Sequence, residues 1–176
     1  MFTSSARRNL ILLPAFAATA CLSGRKHVMT SPIMLTATAD HANFRTGEPI
    51  PVRLALRNAS PSTIWVNRRL GAGYEDSVER EIYFTVFSAD GAVIPVPDEA
   101  RVDVHRMPPV RADFSPLDPA ASIDATLDAA MWYPFRQAGK YRIVFTYENR
   151  RDGNEFGIGA LLGKVSADPL SIVIER

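Results

Sequence analysis

The densest group of side chains able to move protons or hold a cation is the acidic run Glu75, Asp76, Glu79 and Glu81. Paired carboxylates do general acid–base work when burial splits their pKa values. Here the polar neighbours Ser77 and Arg80 point to a wet surface loop instead. Asp103 and His105 stand two apart, so on a strand both project from one face, a spacing that metal sites use. A metal needs a third or fourth ligand, and the sequence names none. His27 and His41, the remaining histidines, lie in a polar stretch and beside a turn. The reading is a solvated strand face, with no metal and no cofactor.

Nucleophilic catalysis has as little to work with. No Gly-x-Ser-x-Gly elbow occurs, and Cys21, the single cysteine, stands where N-terminal processing would use it. Gly157, Gly159 and Gly163 imitate a dinucleotide fingerprint, but one residue too many separates the last two glycines. Lys164 to Arg176 is too short for the helix, strand and ribose-binding acid that must follow. Asp152-Gly153-Asn154-Glu155 fits no standard calcium loop and reads as a tight polar turn. Asn58-Ala59-Ser60 matches a glycosylation acceptor, and is more simply a turn. Arg68, Arg69, Arg150 and Arg151 sit in loops that would share one end of a β domain. With Trp132, Tyr133 and Phe135 they form a candidate recognition surface, because arginine and aromatic side chains make anchors and loops on a rigid scaffold carry binding.

These residues need elements to hold them. The 176 residues allow one ordinary domain plus a processed segment. A hydrophobic content of 47% with 22% charged residues is that of a globular core under a solvated surface. A formal charge of +1 offers no concentrated basic field, so no nucleic-acid partner is expected. Arg7 and Arg8 precede an apolar run, Leu10 to Ala20, and Ala18-Thr19-Ala20 has the small-x-small shape of a cleavage site. Residues 1–20 read as a signal peptide and 21–32 as a polar tether. The run is too short for a membrane-spanning helix, which takes roughly 20 apolar residues. One cysteine excludes an intrachain disulfide, so the domain must hold by packing.

Beyond residue 33 the pattern is alternation with period two. Ile33 to Ala39 is a first strand, and Ile50 to Asn58 follows a turn, with Val52, Leu54 and Leu56 inward and Arg53 and Arg57 outward. Thr63 to Asn67 is a strand carrying Trp65, expected buried as on the third strand of an immunoglobulin sandwich. A polar loop spans Arg68 to Glu81. Ile82 to Ser88 pairs through Asp90-Gly91 with Ala92 to Val96. Prolines 95, 97, 108, 109, 116 and 119 limit the middle to edge strands or extended connections. Ser122 to Leu127 alternates again, and Met131 to Phe135 is an apolar turn plugging one end. In Tyr141 to Tyr147 one face is Tyr141, Ile143, Phe145 and Tyr147, and Leu170 to Glu175 closes the sheet. That makes about eight strands at sandwich spacing.

Gly139-Lys140-Tyr141 resembles the tyrosine corner of immunoglobulin-type sandwiches, in which the phenol turns back onto backbone near the preceding loop. The motifs Phe44-Arg45-Thr46-Gly47-Glu48-Pro49-Ile50, Leu54-Ala55-Leu56-Arg57-Asn58, Ser88-Ala89-Asp90-Gly91 and Phe114-Ser115-Pro116-Leu117-Asp118-Pro119 carry a wider resemblance. Together the chain is similar to the non-catalytic β domain beside the peptidase of deuterolysin-type metalloendopeptidases, and to stand-alone exported bacterial relatives. The zinc helix His-Glu-x-x-His of that peptidase is absent. The usual Pro-Gly turn reads Pro119-Ala120-Ala121, a departure that leaves room for a different turn. Cys21 resembles the lipidated cysteine of bacterial lipoproteins, with Leu22 after it, and this implies a lipid anchor and an envelope location facing the periplasm.

The expectation is therefore an all-β, immunoglobulin-like or fibronectin-like sandwich over residues 33–176. It is read as a non-catalytic module held at the envelope, binding or assembling with a protein. Two alternatives stay open: an accessory subunit or inhibitor of a secreted hydrolase, and an unrecognised enzyme or metal-binding protein built on Glu75 to Glu81 or Asp103/His105. A fold resemblance does not by itself carry an activity.

Overall fold

A computed structural model describes residues 31–102 and 106–176. The signal segment, Cys21 with most of the tether, His27, and the Asp103/His105 pair lie outside the described residues.

The chain is mostly β. Its strands are β1 (Ile33–Ala39), β2 (Asn43–Arg45), β3 (Pro51–Asn58), β4 (Ile64–Asn67), β5 (Ile82–Ser88), β6 (Val93–Ile94), β7 (Phe114–Leu117), β8 (Ser122–Asp128), β9 (Gly139–Asn149), β10 (Gly163–Ser166) and β11 (Leu170–Glu175), with one helical turn, α1 (Ala129–Trp132). Among the described residues no helix is long and apolar enough to cross a membrane.

One sheet has the order β1-β3-β8 and is antiparallel throughout. A second has the order β2-β11-β9-β5-β6, with β10 also on β9. Only β2 against β11 runs parallel there. Strands β10 and β11 follow one another along the same side of β9, one on its second half and the other on its first. Pro169, which has no backbone donor, falls in the break between them.

The alternation of β3 places Val52, Leu54 and Leu56 fully inside, while Arg53 and Arg57 stay exposed. On β9 the same period buries Ile143, Phe145 and Tyr147. These residues join one hydrophobic cluster together with Ile82 and Val86 of β5 and Ile172 and Ile174 of β11. The two sheets thus share a core between their inner faces, which non-directional burial of apolar area favours.

The turns follow from composition. Gly91 takes φ +88° in the β5–β6 hairpin, where Ser88 N–H donates to the Ala92 carbonyl at 2.9 Å. Asp128 ends β8 and caps α1, its Oδ1 accepting from Ala130 N (2.9 Å) and Ile50 N (2.7 Å). Tyr141 Oη donates to the Gln137 carbonyl at 2.8 Å, the tyrosine-corner bond expected from Gly-x-Tyr. At Pro119-Ala120-Ala121 the chain keeps a tight turn, and Ala120 itself enters the left-handed region at φ +64° where glycine is usual.

Three expectations are corrected. Trp65 is not the buried tryptophan of the main core. Its strand, β4, pairs with β7 in a separate two-stranded ribbon, and the ring is half-buried beside Phe114, Ile158 and Ala160. Val66, its neighbour on the same strand, is the residue of β4 that enters the main core. The chain also has more strands than expected: Asn43–Arg45, Phe114–Leu117 and Gly163–Ser166 are short pieces whose pairing depends on distant partners. Finally, the segment from Arg68 to Glu81 is not a wet loop, since Arg80 and Glu81 are each only 3% exposed.

Candidate functional site

The connections 59–81, 106–114 and 150–162 meet at one end of the molecule. Leu161 N donates to the Trp65 carbonyl at 2.8 Å, Arg68 N to Asp113 at 2.7 Å, and Arg111 Nη1 to Phe156 at 2.7 Å. Asn58 stitches the base of this end. Its amide donates to the Ser62 and Leu117 carbonyls, both at 2.8 Å, and its Oδ1 accepts from Ser60 N and Ser60 Oγ. That amide is fully buried, so Asn58-Ala59-Ser60 works as a turn.

At the centre lies Glu81, one residue before β5 begins. Its Oε1 accepts from Asn67 Nδ2 (3.1 Å), Arg69 Nε (2.9 Å) and Arg69 Nη2 (2.6 Å), and its Oε2 from Gly71 N (3.0 Å). A buried carboxylate is tolerated when its lone pairs are met this fully. Burial opposes the charge on Arg69, but the hydrogen bond and charge of Glu81 hold its pKa above the ordinary arginine value. Burial and the negative charge of Glu81 raise the Tyr147 phenol well above the usual tyrosine range, while its hydroxyl donates to the Asn67 carbonyl at 3.1 Å. A Cβ on Gly71 would overlap Arg106 Nη1 and fall 2.9 Å from Glu81 Oε2, so a larger residue there would displace those side chains.

A second layer of ion pairs surrounds this centre. Arg151 Nη2 meets Glu79 at 2.6 Å, and Arg69 lies 3.7 Å from the same glutamate. Arg80, buried under the Tyr83 ring at 4.0 Å, pairs with Glu148 at 2.9 Å, and Glu148 also accepts from Arg150 at 3.0 Å. The hydrogen bond from Arg150, with further help from Arg80, holds the Glu148 pKa below the usual carboxylate value.

The sequence-predicted residues separate on this framework. Arg69 and Arg151 meet at Glu79, with Glu81 on Arg69, whereas Arg150 pairs separately with Glu148 beside Arg80; residues of both groups line one hollow. Arg68 is exposed and belongs to none of the ion pairs among the described residues. Trp132, Tyr133 and Phe135 are corrected as exposed anchors. Trp132 and Tyr133 are 8% and 6% exposed, and Tyr133 and Phe135 join the main core. A partner cannot use ring surface that the protein already covers.

Tyr74, Val78 and Met107 were not singled out from sequence. With Glu79, Arg101 and Arg106 they line a groove of about 840 Å3 beside the ion-pair network. Val78 and Met107 are 78% and 80% exposed and both line this one groove. Arg69 Nη1 donates to the Met107 carbonyl at 2.6 Å and so ties one wall to the network. Val102 N donates to Tyr74 Oη at 2.9 Å. Val78, a lone apolar residue in a charged run, carried a readable signal. Met107 beside Pro108 and Pro109 carried none, because its exposure depends on where the connection crosses the fold.

The chemistry this end offers is electrostatic and apolar contact. Glu79, Glu81 and Glu148 each face a guanidinium. Asp76 is paired with Arg101, whose hydrogen bond lowers the carboxyl pKa. Among the described residues no group of three or more His, Cys, Asp or Glu gathers at metal-ligand spacing. No protein-family model matches the chain, and no curated protein matches it.

Proposed function

We propose that this chain is a non-catalytic immunoglobulin-like module, held at a bacterial cell envelope by a lipid on Cys21 and binding a protein partner through its loop end. The observation that carries the binding role is that Val78 and Met107, both highly exposed, line one groove, which the bond from Arg69 to the Met107 carbonyl ties to the Glu81 network. Exposed apolar side chains on a rigid, hydrogen-bonded frame suit a protein interface, where apolar anchors supply energy and paired charges supply register.

The immunoglobulin-like reading is supported by strand order. A sheet β1-β3-β8 faces a sheet β11-β9-β5-β6, β2 lies parallel to β11, and a tyrosine corner opens β9. Its support for export is the Arg7-Arg8 and Leu10 to Ala20 pattern ending in Ala18-Thr19-Ala20-Cys21. The resemblance to the non-catalytic β domain of deuterolysin-type enzymes favours binding over chemistry by analogy.

The test is a pull-down from crosslinked envelopes with the full chain and with Val78→Asp/Met107→Asp, both at exposed positions that spare the core. A partner retained by the parent chain and lost by the double variant is expected. Equal recovery from both removes the groove from the interface. Mass spectrometry of the native N-terminus tests the anchor: a diacylglyceryl group on Cys21 is expected, and an intact Met1 overturns export.

A further inference from the structure

A second hollow lies on the other side of Tyr74, where the two sheets are unequal in width. The three-stranded sheet ends at β8, whereas the facing sheet continues through β5 to β6. Phe84, Ile94 and Val96 therefore belong to the main core yet remain partly exposed. They floor a cleft of about 590 Å3, with Tyr74 and Tyr133 among its walls. That volume is within the range of ligand clefts.

The rim is acidic. Glu75, Asp76 and Asp98 border the cleft against one cation, Arg101. Arg101 is already committed: it pairs with Asp76 and its guanidinium stacks on the Tyr74 ring at 4.4 Å. Among the described residues Glu75 and Asp98 form no ion pair, and both are exposed. β6 closes its sheet with an unpaired edge, and Val93 on that edge is 59% exposed. That edge is two residues long and Pro95 and Pro97 follow it without backbone donors, so an occupant can pair with it only at Val93 and Ile94 and must be held chiefly through its side chains.

We infer that this cleft binds an extended protein segment carrying an apolar side chain for the Phe84/Ile94/Val96 floor and a flanking lysine or arginine for Glu75 and Asp98. A basic flank gains attraction from the two exposed rim carboxylates, a purely apolar segment gains none, and an acidic one is repelled by them. The cleft adjoins the groove at Val78 and Met107, sharing Tyr74, Asp76 and Arg101 with it, but neither Val78 nor Met107 lines it, and its use does not depend on anchoring at Cys21.

The test uses the full chain in mild detergent and two fluorescein-labelled heptapeptides, Gly-Lys-Val-Phe-Val-Lys-Gly and Gly-Glu-Val-Phe-Val-Glu-Gly, read by anisotropy. Saturable binding of the lysine peptide is expected, with the glutamate peptide weaker by about tenfold or more. Glu75→Gln/Asp98→Asn, at two exposed sites, should weaken the lysine peptide about fivefold, as should screening by about 0.5 M salt. Equal affinity for the two peptides, no saturable binding of the lysine peptide, or an unchanged affinity in the double variant each overturns the inference. Val78→Asp/Met107→Asp should leave peptide affinity as it was. Loss of binding there instead assigns the peptide to the groove and overturns the cleft as its site, whatever the pull-down shows.

Discussion

Arg69 and Glu81 meet through two donors on one oxygen, Nη2 at 2.6 Å and Nε at 2.9 Å, in a setting where the glutamate side chain is 4% exposed. The geometry joins the loop after β4 to the residue immediately before β5. Through Arg69 Nη1 and Met107 it reaches the connection that crosses from β6 to β7. The loop end is thereby braced from within.

Removing one partner strands the other. Glu81→Leu should lower stability by about 2 kcal/mol, because the buried Gly71 and Asn67 donors lose their acceptor and the partly buried Arg69 guanidinium keeps only Glu79 and the Met107 carbonyl. Arg69→Met/Glu81→Leu should recover much of that loss. Urea midpoints for Arg69→Met, Glu81→Leu and the double variant close the cycle, and additive losses would show that the two residues do not act as a pair.

The tyrosine corner makes a smaller contribution. Tyr141→Phe removes the bond to the Gln137 carbonyl and keeps the ring, which packs edge-on against Phe135 at 5.2 Å. A loss of about 1 kcal/mol in urea unfolding is expected. An unchanged midpoint would mean that water replaces the bond without cost.

Ala120 stores backbone strain in the turn before β8, since a Cβ disfavours φ +64°. Ala120→Gly should raise stability by about 1 kcal/mol, the native conformation outweighing the added freedom of the unfolded chain. A lower thermal midpoint in the glycine variant would contradict this.

Acid should loosen the loop end through Glu148. Its carboxyl pKa is depressed in the folded state, first by the hydrogen bond from Arg150. With a folded pKa below the unfolded one, the unfolded chain binds more protons as pH falls. The stabilisation is complete above the unfolded value and is lost as pH drops through the folded one. Glu148→Gln should flatten the acid limb of stability between about pH 5 and 3. A limb of unchanged slope would assign acid sensitivity to other carboxylates.

The elements with strict alternation were legible before any coordinates. Val52, Leu54 and Leu56 on β3, and Ile143, Phe145 and Tyr147 on β9, announce a strand and its inner face, because a side-chain period of two leaves one consistent way to bury them. Turn chemistry was equally readable at Asp90-Gly91 and at Gly-x-Tyr, where the rule is local. Of the candidate site, Arg68, Arg69, Arg150 and Arg151 were expected to share one end; Arg69 and Arg151 meet at Glu79, Arg150 pairs with Glu148, and Arg68 joins none of the ion pairs among the described residues.

Only tertiary structure decided which strand was central and which charges were inside. Trp65 lies in a β-branched stretch as strand-like as β5, yet its partner is β7, set by a connection of prolines that sequence cannot route. Glu75 and Glu81 belong to the same acidic run. One is exposed and the other buried, because Gly71, Asn67 and Arg69 converge on the second alone. A carboxylate's environment is made by residues distant along the chain, and its burial becomes tolerable only once they have arrived.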